Sequence, residues 1–258
     1  MMPFLHIGWL SIPTYGLMVA LGMLTAFFIL RADLERRGIA KDDPGVAEKL
    51  IAIPCLAGLI GSKIYSELET PRAFLADPWH HLLSQYGFTW FGGLLAGAAA
   101  YILLARRQQA PLLTMLDAAS PAAALGYGIG RMGCLLSGDG DYGIPTSLPW
   151  GMSFPNGLVP TTERVHPTPV YEFIAAALIA WLLWRLGEPG RNARPFAHGE
   201  SKPGDVFAVF LVATGLVRFL VEFIRINPRI LWGLTNAQLA SLFSILCGTI
   251  LWQRVRRA

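Results

Sequence analysis

Seven long apolar stretches constrain what this chain can fold into. A helix that crosses a bilayer needs about 20 mostly apolar residues. Polar segments rich in Pro and Gly separate the stretches, which all reach or approach that length. They are Ile12–Leu30, Leu50–Glu67, Thr89–Ala105, Leu112–Ser137, Pro169–Trp184, Val206–Ile224 and Gln238–Trp252. The sequence therefore predicts an all-α, polytopic membrane protein with about seven transmembrane helices. We expect residues 1–258 to form a single integral membrane domain.

The composition excludes an ordinary soluble protein. Hydrophobic residues make up 53% of the chain and charged residues only 15%, against roughly 25% charged in globular domains. A net charge of +4 would suggest nucleic acid as the partner of a soluble protein, but here we assign it to basic loops on one side of a membrane. The three cysteines form no CxxC pair. We therefore expect no disulfide framework and no zinc or other metal site.

The distribution of basic residues predicts the orientation. The first, third and fifth loops and the C-terminal tail hold 14 Lys and Arg, whereas the other three loops hold 4. Basic loops stay in the cytoplasm, so we expect a cytoplasmic C-terminus and, with seven spans, an N-terminus outside. The long polar segment at about 138–168 then forms an outer loop. A loop of that length is usually functional or disordered.

Charged residues inside the predicted spans mark the candidate site. Asp117 and Arg131 lie in the fourth span, and Arg218 and Glu222 lie in the sixth, with Arg225 at its outer end. A charge at the bilayer centre costs roughly 2.5–3.5 kcal/mol on insertion scales, so such residues persist when they pair or line a polar cavity. Arg218, Glu222 and Arg225 share one helical face. Either they form an intrahelical salt bridge, or one carboxylate orients two guanidinium groups toward an anion such as a phosphate.

Glycines surround Arg131 in the segment Gly126–Gly133. A Gly-rich turn beside an arginine can cradle a phosphate, but small residues also let membrane helices pack closely. Both interpretations stay open from the spacing alone. No strand precedes the segment, so it is not a dinucleotide-binding fingerprint. Asp117 precedes Arg131 by 14 residues, close to four helical turns, so both side chains could face one seam.

Several motifs, in order along the chain, resemble one known family. The central one is Gly130–Gly133 with its arginine, followed by Ser137-Gly138 and Tyr142-Gly143. The others are Tyr15-Gly16, the segment 150–157, His166-Pro167, Tyr171-Glu172, Arg218–Phe223 with Arg225, and Leu234-Thr235 with Gln238–Ser241. From Tyr15 to about Ser241 the chain is similar to the bacterial phosphatidylglycerol–prolipoprotein diacylglyceryl transferases.

The resemblance implies a reaction and its partners. Members of the family transfer the diacylglyceryl group of phosphatidylglycerol to the thiol of the lipobox cysteine, which follows the signal peptide of a prolipoprotein. The reaction takes place in the bacterial inner membrane. Lipoprotein biosynthesis of this kind implies no cofactor. It implies catalytic roles for Arg131 and Arg218 at the phosphate. The substrate-binding residues it implies are Tyr15, Arg131, Gly133, Ser137, Arg218, Glu222 and Arg225.

The chain departs from the family pattern at informative positions. Phe91 stands where the family usually has His before Gly-Gly, Cys134 and Ser137 stand where it has Asn, and Thr214 replaces a Tyr. His166 is the candidate to replace the missing base; alternatively, it fixes the return of the outer loop through a backbone hydrogen bond. The departures leave a second hypothesis open, a paralogue that binds or transports phospholipid without this catalysis or that uses another acceptor. A channel or receptor has only the seven spans in its favour.

Overall fold

The computed structural model describes residues 2–8, 10–39, 45–84, 89–108, 110–188 and 201–257. The elements among these residues are β1 Phe4–Ile7, β2 Leu10–Pro13, α1 Thr14–Arg36, α2 Val46–Glu69, α3 Pro71–Ala76, α4 Pro78–Leu83, α5 Trp90–Ala105, α6 Leu112–Ser137, β3 Met152–Phe154, β4 Thr161–Val165, α7 Thr168–Leu186, α8 Asp205–Val221, a 3₁₀ turn Glu222–Ile224 and α9 Asn236–Arg257. They divide into two compact units. Met1–Arg37 and Leu116–Ala258 form the first unit, and Gly38–Met115 form the second.

The prediction of a mostly helical membrane protein is confirmed. In the part of the chain that the structure describes, four helices are long and apolar enough to cross a membrane: Thr14–Arg36, Leu112–Ser137, Thr168–Leu186 and Asp205–Ile224. The other three predicted stretches also fall in helices, namely α2, α5 and α9. One of these contains a shorter apolar helical segment, Phe91–Ala105.

Glycines bring the two long helices of the second unit together. A Cβ atom added to Gly61 of α2 would lie 2.7 Å from the carbonyl oxygen of Gly92 in α5. Similarly, a Cβ atom added to Gly58 would lie 3.2 Å from the carbonyl oxygen of Gly93. Such contacts require residues without side chains, as is usual between membrane helices. Phe91 thus lies in the first turn of α5, and the two glycines that follow it are fixed by packing.

The glycines around Arg131 also serve helix packing. A Cβ atom added to Gly22 of α1 would lie 2.8 Å from the carbonyl oxygen of Gly126. A Cβ atom added to Gly133 would lie 3.2 Å from the side chain of Tyr15. The whole segment is helical within α6. The structure thus favours the packing interpretation of these glycines, because no Gly-rich turn forms around the arginine.

The outer loop at 138–168 is ordered, and it departs from a purely helical expectation. Its strands β3 and β4 pair antiparallel, and β1 and β2 form a second small sheet. Tyr142 and Phe154 stack with ring centroids 5.1 Å apart over a buried cluster that includes Leu135 and Val165. Backbone groups that leave a helix still need hydrogen-bond partners, and this hairpin provides them. The loop consequently holds its acidic residues in fixed positions above α6.

Candidate functional site

A buried carboxylate, Glu172, joins the arginines of two helices. It lies in the first turns of α7 and is 2% exposed. Its Oε2 atom lies 2.6 Å from Nε of Arg131 in α6, and its Oε1 atom accepts a hydrogen bond from Nη1 of Arg218 in α8 at 3.1 Å. The Tyr127 hydroxyl donates to the same Oε1 atom at 3.0 Å. The structure therefore brings the two predicted arginines to opposite oxygens of one side chain.

Asp141 of the outer loop forms a second bridge between arginines. Its carboxylate pairs with Nη1 of Arg131 and with Nη2 of Arg225. Burial by itself would raise the pKa of Asp141, but the two guanidinium groups lower that pKa below its ordinary value. The Thr168 hydroxyl donates to the backbone carbonyl of Asp141, which ties the loop to the start of α7. This loop residue is consequently ionised and forms part of the cluster.

Glu222 completes the arrangement from the end of α8. It is 3% exposed, and its Oε2 atom lies 2.8 Å from Nη2 of Arg218 and 3.8 Å from Nε of Arg225. The Asn227 amide donates to its other oxygen at 2.6 Å. The face predicted from the spacing of these three residues thus exists, and it contains the intrahelical salt bridge. The same arginines also reach α7, so the salt bridge is only part of a larger network.

Some guanidinium N–H groups in this network have no hydrogen-bond acceptor. Among the described residues, Nη2 of Arg131 and both Nε and Nη1 of Arg225 are buried without a hydrogen-bond partner, although Nη1 of Arg225 lies 3.5 Å from Glu172. Buried donors left without a partner cost about 1–3 kcal/mol each, and more when charged. The oxygens of a bound anion would satisfy them. Within the described ranges, the same network leaves Oε2 of Glu222 without a hydrogen bond, but the unpaired donors outnumber this acceptor, so the arrangement favours an anion over a cation.

The other predicted substrate-binding residues lie near the outer end of α6. Tyr15 opens α1, is 47% exposed and packs against Gly133. Ser137 is buried, and its hydroxyl donates to the carbonyl of Cys134 at 3.1 Å. The Ser137 carbonyl also accepts a hydrogen bond from the backbone of Leu158 in the outer loop. Tyr15 is thus open to a ligand, whereas the contacts of Ser137 serve the loop.

His166 lies where the outer loop returns to the membrane. Its Nδ1 atom lies 3.2 Å from the hydroxyl of Tyr171, which accepts a hydrogen bond from Trp150 at 2.8 Å. Its backbone carbonyl accepts from Gly143, and its backbone N–H donates to Ile144. These contacts favour the loop-fixing interpretation of His166.

Asp117 does not share the arginine cluster. It is 1% exposed, and it accepts hydrogen bonds from the backbone N–H groups of Gly204 at 2.7 Å and Phe207 at 2.8 Å. Both donors belong to the N-terminus of α8. Asp117 is separated from Arg131 by about 21 Å along α6, at 1.5 Å per residue. Asp117 therefore lies outside the arginine cluster, although it and Arg131 both belong to the side of α6 that leads to α8.

Sequence reasoning gave no role to Glu172 and Asp141, the two carboxylates that organise the site. For Glu172 a signal existed, since it lies within the predicted span Pro169–Trp184 and is a buried charge of the kind that marked Arg131 and Arg218. For Asp141 the sequence carried no comparable signal. It lies in a polar loop, and its two partners, Arg131 and Arg225, are 10 and 84 residues away.

The comparisons with known proteins agree over nearly the whole chain. Residues 3–254 match the sequence profile described as Prolipoprotein diacylglyceryl transferase. The chain belongs to this family. It is 32% identical over 244 residues to the phosphatidylglycerol–prolipoprotein diacylglyceryl transferase of Clostridium tetani, covering 93% of this chain and 91% of that protein. It is 34% identical over 227 residues to the enzyme of the same name from Geobacter sulfurreducens, covering 86% and 81%. The resemblance drawn from the motifs is confirmed.

Two residues that depart from the family pattern, Cys134 and Thr214, make hydrogen bonds in this structure. Cys134 accepts a hydrogen bond from Nη1 of Arg131 at 3.1 Å, so its sulfur still touches the arginine. The Thr214 hydroxyl donates a hydrogen bond within its own helix, to the carbonyl of Phe210.

Asp139 accepts a hydrogen bond from the backbone N–H of Asp141, and burial raises the pKa of Asp139 above its ordinary value. Ligand atoms of Cys134, Asp139 and Asp141 lie within 4.8 Å of one another, but the adjoining guanidinium groups oppose a metal cation there.

Proposed function

We propose that this chain transfers the diacylglyceryl group of phosphatidylglycerol to the lipobox cysteine thiol of prolipoproteins. In this reaction the bond between the glyceryl carbon and the phosphate oxygen breaks, and a bond from that carbon to sulfur forms. Glycerol phosphate leaves, and the thiol proton passes to a base. The names of the relatives give this donor and the prolipoprotein acceptor. One observation carries the proposal: Arg131 and Arg218 converge on Glu172 between apolar helices.

The arginines act on the phosphate. Negative charge grows on the leaving glycerol phosphate, and preorganised guanidinium donors in a site that excludes water stabilise such charge strongly. The planar fork of an arginine can bind two phosphate oxygens at once. Arg131 retains a buried N–H group for this purpose. Glu172 and Glu222 hold the guanidinium groups in place, and Glu222 orients Arg218 and Arg225 instead of accepting the thiol proton.

The remaining substrate contacts come from the outer end of α1 and α6. Tyr15 is half exposed beside Gly133, so both can meet the donor lipid next to the arginines. Ser137 contributes by holding the loop that carries Asp141. His166 is the candidate proton acceptor, since Phe91 has no titratable group, and the backbone hydrogen bonds of His166 favour fixing of the loop as the alternative role. The acceptor cysteine has to be a thiolate when it attacks.

The proposed location is the bacterial inner membrane. Seven spans with the N-terminus outside and the C-terminus in the cytoplasm place the outer loop on the side where exported prolipoproteins arrive. Each of the seven predicted stretches falls mainly in a helix, which supports the count. The bias of 14 basic residues against 4 supports the orientation.

Complementation tests the function. Cells depleted of their own transferase receive this gene or its Arg131→Ala variant, and prolipoprotein modification and growth are followed. We expect the native gene to restore both and the variant to restore neither. Purified protein in phosphatidylglycerol vesicles, given a peptide with a lipobox cysteine, supplies the direct measurement. Tight binding of phosphatidylglycerol without transfer would favour the lipid-binding alternative. The presence of Phe91 at the position of the family's histidine is the reason to consider that alternative.

A further inference from the structure

Asp117 connects two helices that both lead to the arginines. Its carboxylate belongs to α6, and the two N–H groups that it binds belong to the first turn of α8. The first N–H groups of any helix lack partners within the helix. A side chain at the N-cap normally satisfies them, but the residue there is Gly204, which has none. The cap of α8 is therefore supplied by a different helix.

The distance from this cap to each arginine is the same. Arg131 follows Asp117 by 14 residues, and Arg218 follows Gly204 by 14 residues. Each helix rises about 1.5 Å per residue, so each arginine lies about 21 Å beyond the cap. α6 and α8 are thus connected at two levels, directly at Asp117 and through Glu172 of α7 at the arginines. Contacts at the two ends fix how far one helix is displaced along the other.

We propose that Asp117 is a positioning residue that sets the axial register of α8 against α6, so that Arg131 and Arg218 reach the same phosphate. This inference rests on the proposed function for its consequence in catalysis. A displacement of α8 by one residue would move Arg218 by about 1.5 Å. Its contact with Glu172, at 3.1 Å, would then be lost or reformed at another angle.

A purely structural cap is the competing explanation, and Asp205 provides the matched control. Asp205 is also a buried aspartate in the first turn of α8. It accepts from the backbone of Lys202 and pairs with Arg256 of α9 at 2.8 Å. Asp205→Asn weakens the same helix terminus with the same chemical change while leaving the cap from α6 in place.

The first measurement is kinetic, with the full-length protein in phosphatidylglycerol vesicles and a lipobox peptide as acceptor. A misplacement of about 1 Å can reduce a rate by about 100-fold. We expect Asp117→Asn to lower kcat/KM for transfer by at least about tenfold. Asp205→Asn should leave it within about twofold while lowering Tm to a similar degree. Asp117→Glu keeps a carboxylate on a longer side chain, so it should recover Tm better than activity.

The second measurement does not depend on the reaction. Spin labels at cysteines replacing Ala123 of α6 and Leu216 of α8 report the spacing of the two helices, with Cys55 and Cys247 changed to Ser. Both label positions are exposed. We expect Asp117→Asn to shift this distance and Asp205→Asn to leave it unchanged. An unchanged distance in Asp117→Asn overturns the register role, whether or not kcat/KM falls. A shifted distance in Asp117→Asn, together with no transfer by the native protein, overturns the proposed function and supports the register role.

Discussion

Nε of Arg131 lies 2.6 Å from Oε2 of Glu172, and this contact joins α6 to α7 between apolar helices. Replacing Glu172 by Gln keeps the shape of the side chain and removes its charge. Breaking a buried ion pair by removing one partner costs about 3–5 kcal/mol, because an uncompensated charge stays buried. We expect Glu172→Gln to lower Tm strongly and to abolish transfer. Glu163→Gln, on the exposed outer hairpin, is the control. Equal Tm values for the two variants would show that Glu172 does not hold the arginines.

The planar guanidinium group of Arg131 is the basis of a second prediction. Lys keeps the positive charge but cannot bind two phosphate oxygens in a plane. Loss of one preorganised donor costs about 100–1,000-fold in rate, so Arg131→Lys and Arg218→Lys should each reduce kcat by about that factor. Arg229→Lys, at an exposed position, should retain the native rate. Full activity in Arg131→Lys would remove that residue from the phosphate site.

Asp141 and Asp139 should respond to pH in opposite directions. A carboxyl group whose folded-state pKa is lowered stabilises the fold above its unfolded-state pKa, and this stabilisation disappears as pH falls through the folded-state value. Asp141 is of this kind. Asp141→Asn should therefore lower Tm at neutral pH, with a difference from the native protein that shrinks as pH falls below about 5.

For Asp139 the sign is reversed. Its pKa is raised by burial, so the stabilisation from its protonated form is present at low pH and disappears as pH rises through the folded-state value. Asp139→Asn mimics the protonated form and should keep or raise Tm at neutral pH, with no difference from the native protein at low pH. Thermal unfolding in detergent between pH 4 and 8 measures both variants. A fall in Tm for Asp139→Asn at neutral pH would contradict the assignment.

His166 and Phe91 together test the base. If His166 accepts the thiol proton, His166→Ala should lose activity and an added Phe91→His should restore part of it, because His titrates near neutral pH. If His166 fixes the loop, His166→Ala should lower Tm and Phe91→His should rescue nothing. Transfer rates and Tm of the two variants and their combination distinguish these cases. A stable and active His166→Ala excludes both roles.

Reporter fusions test the topology. A reporter active only outside the cytoplasm should be active when fused after Gly151 of the outer loop. The same reporter should be silent after Arg194, which lies outside the described residues. The bias of basic residues between alternate loops is the reason for this expectation. The opposite pattern would reverse the proposed orientation and place the outer loop in the cytoplasm.

The sequence by itself determined that this is a helical membrane protein and which charged residues its spans contain. A bilayer requires long apolar helices and penalises unpaired charge, so both properties are local and readable from composition. Arg131, Arg218 and Glu222 stood out for that reason. Only the tertiary structure decided that Glu172 and Asp141 connect them, and that Asp117 caps α8 far from that cluster. Those contacts join residues up to 90 positions apart, and sequence spacing gives the face of one helix but not the partner that a neighbouring helix or loop presents to it.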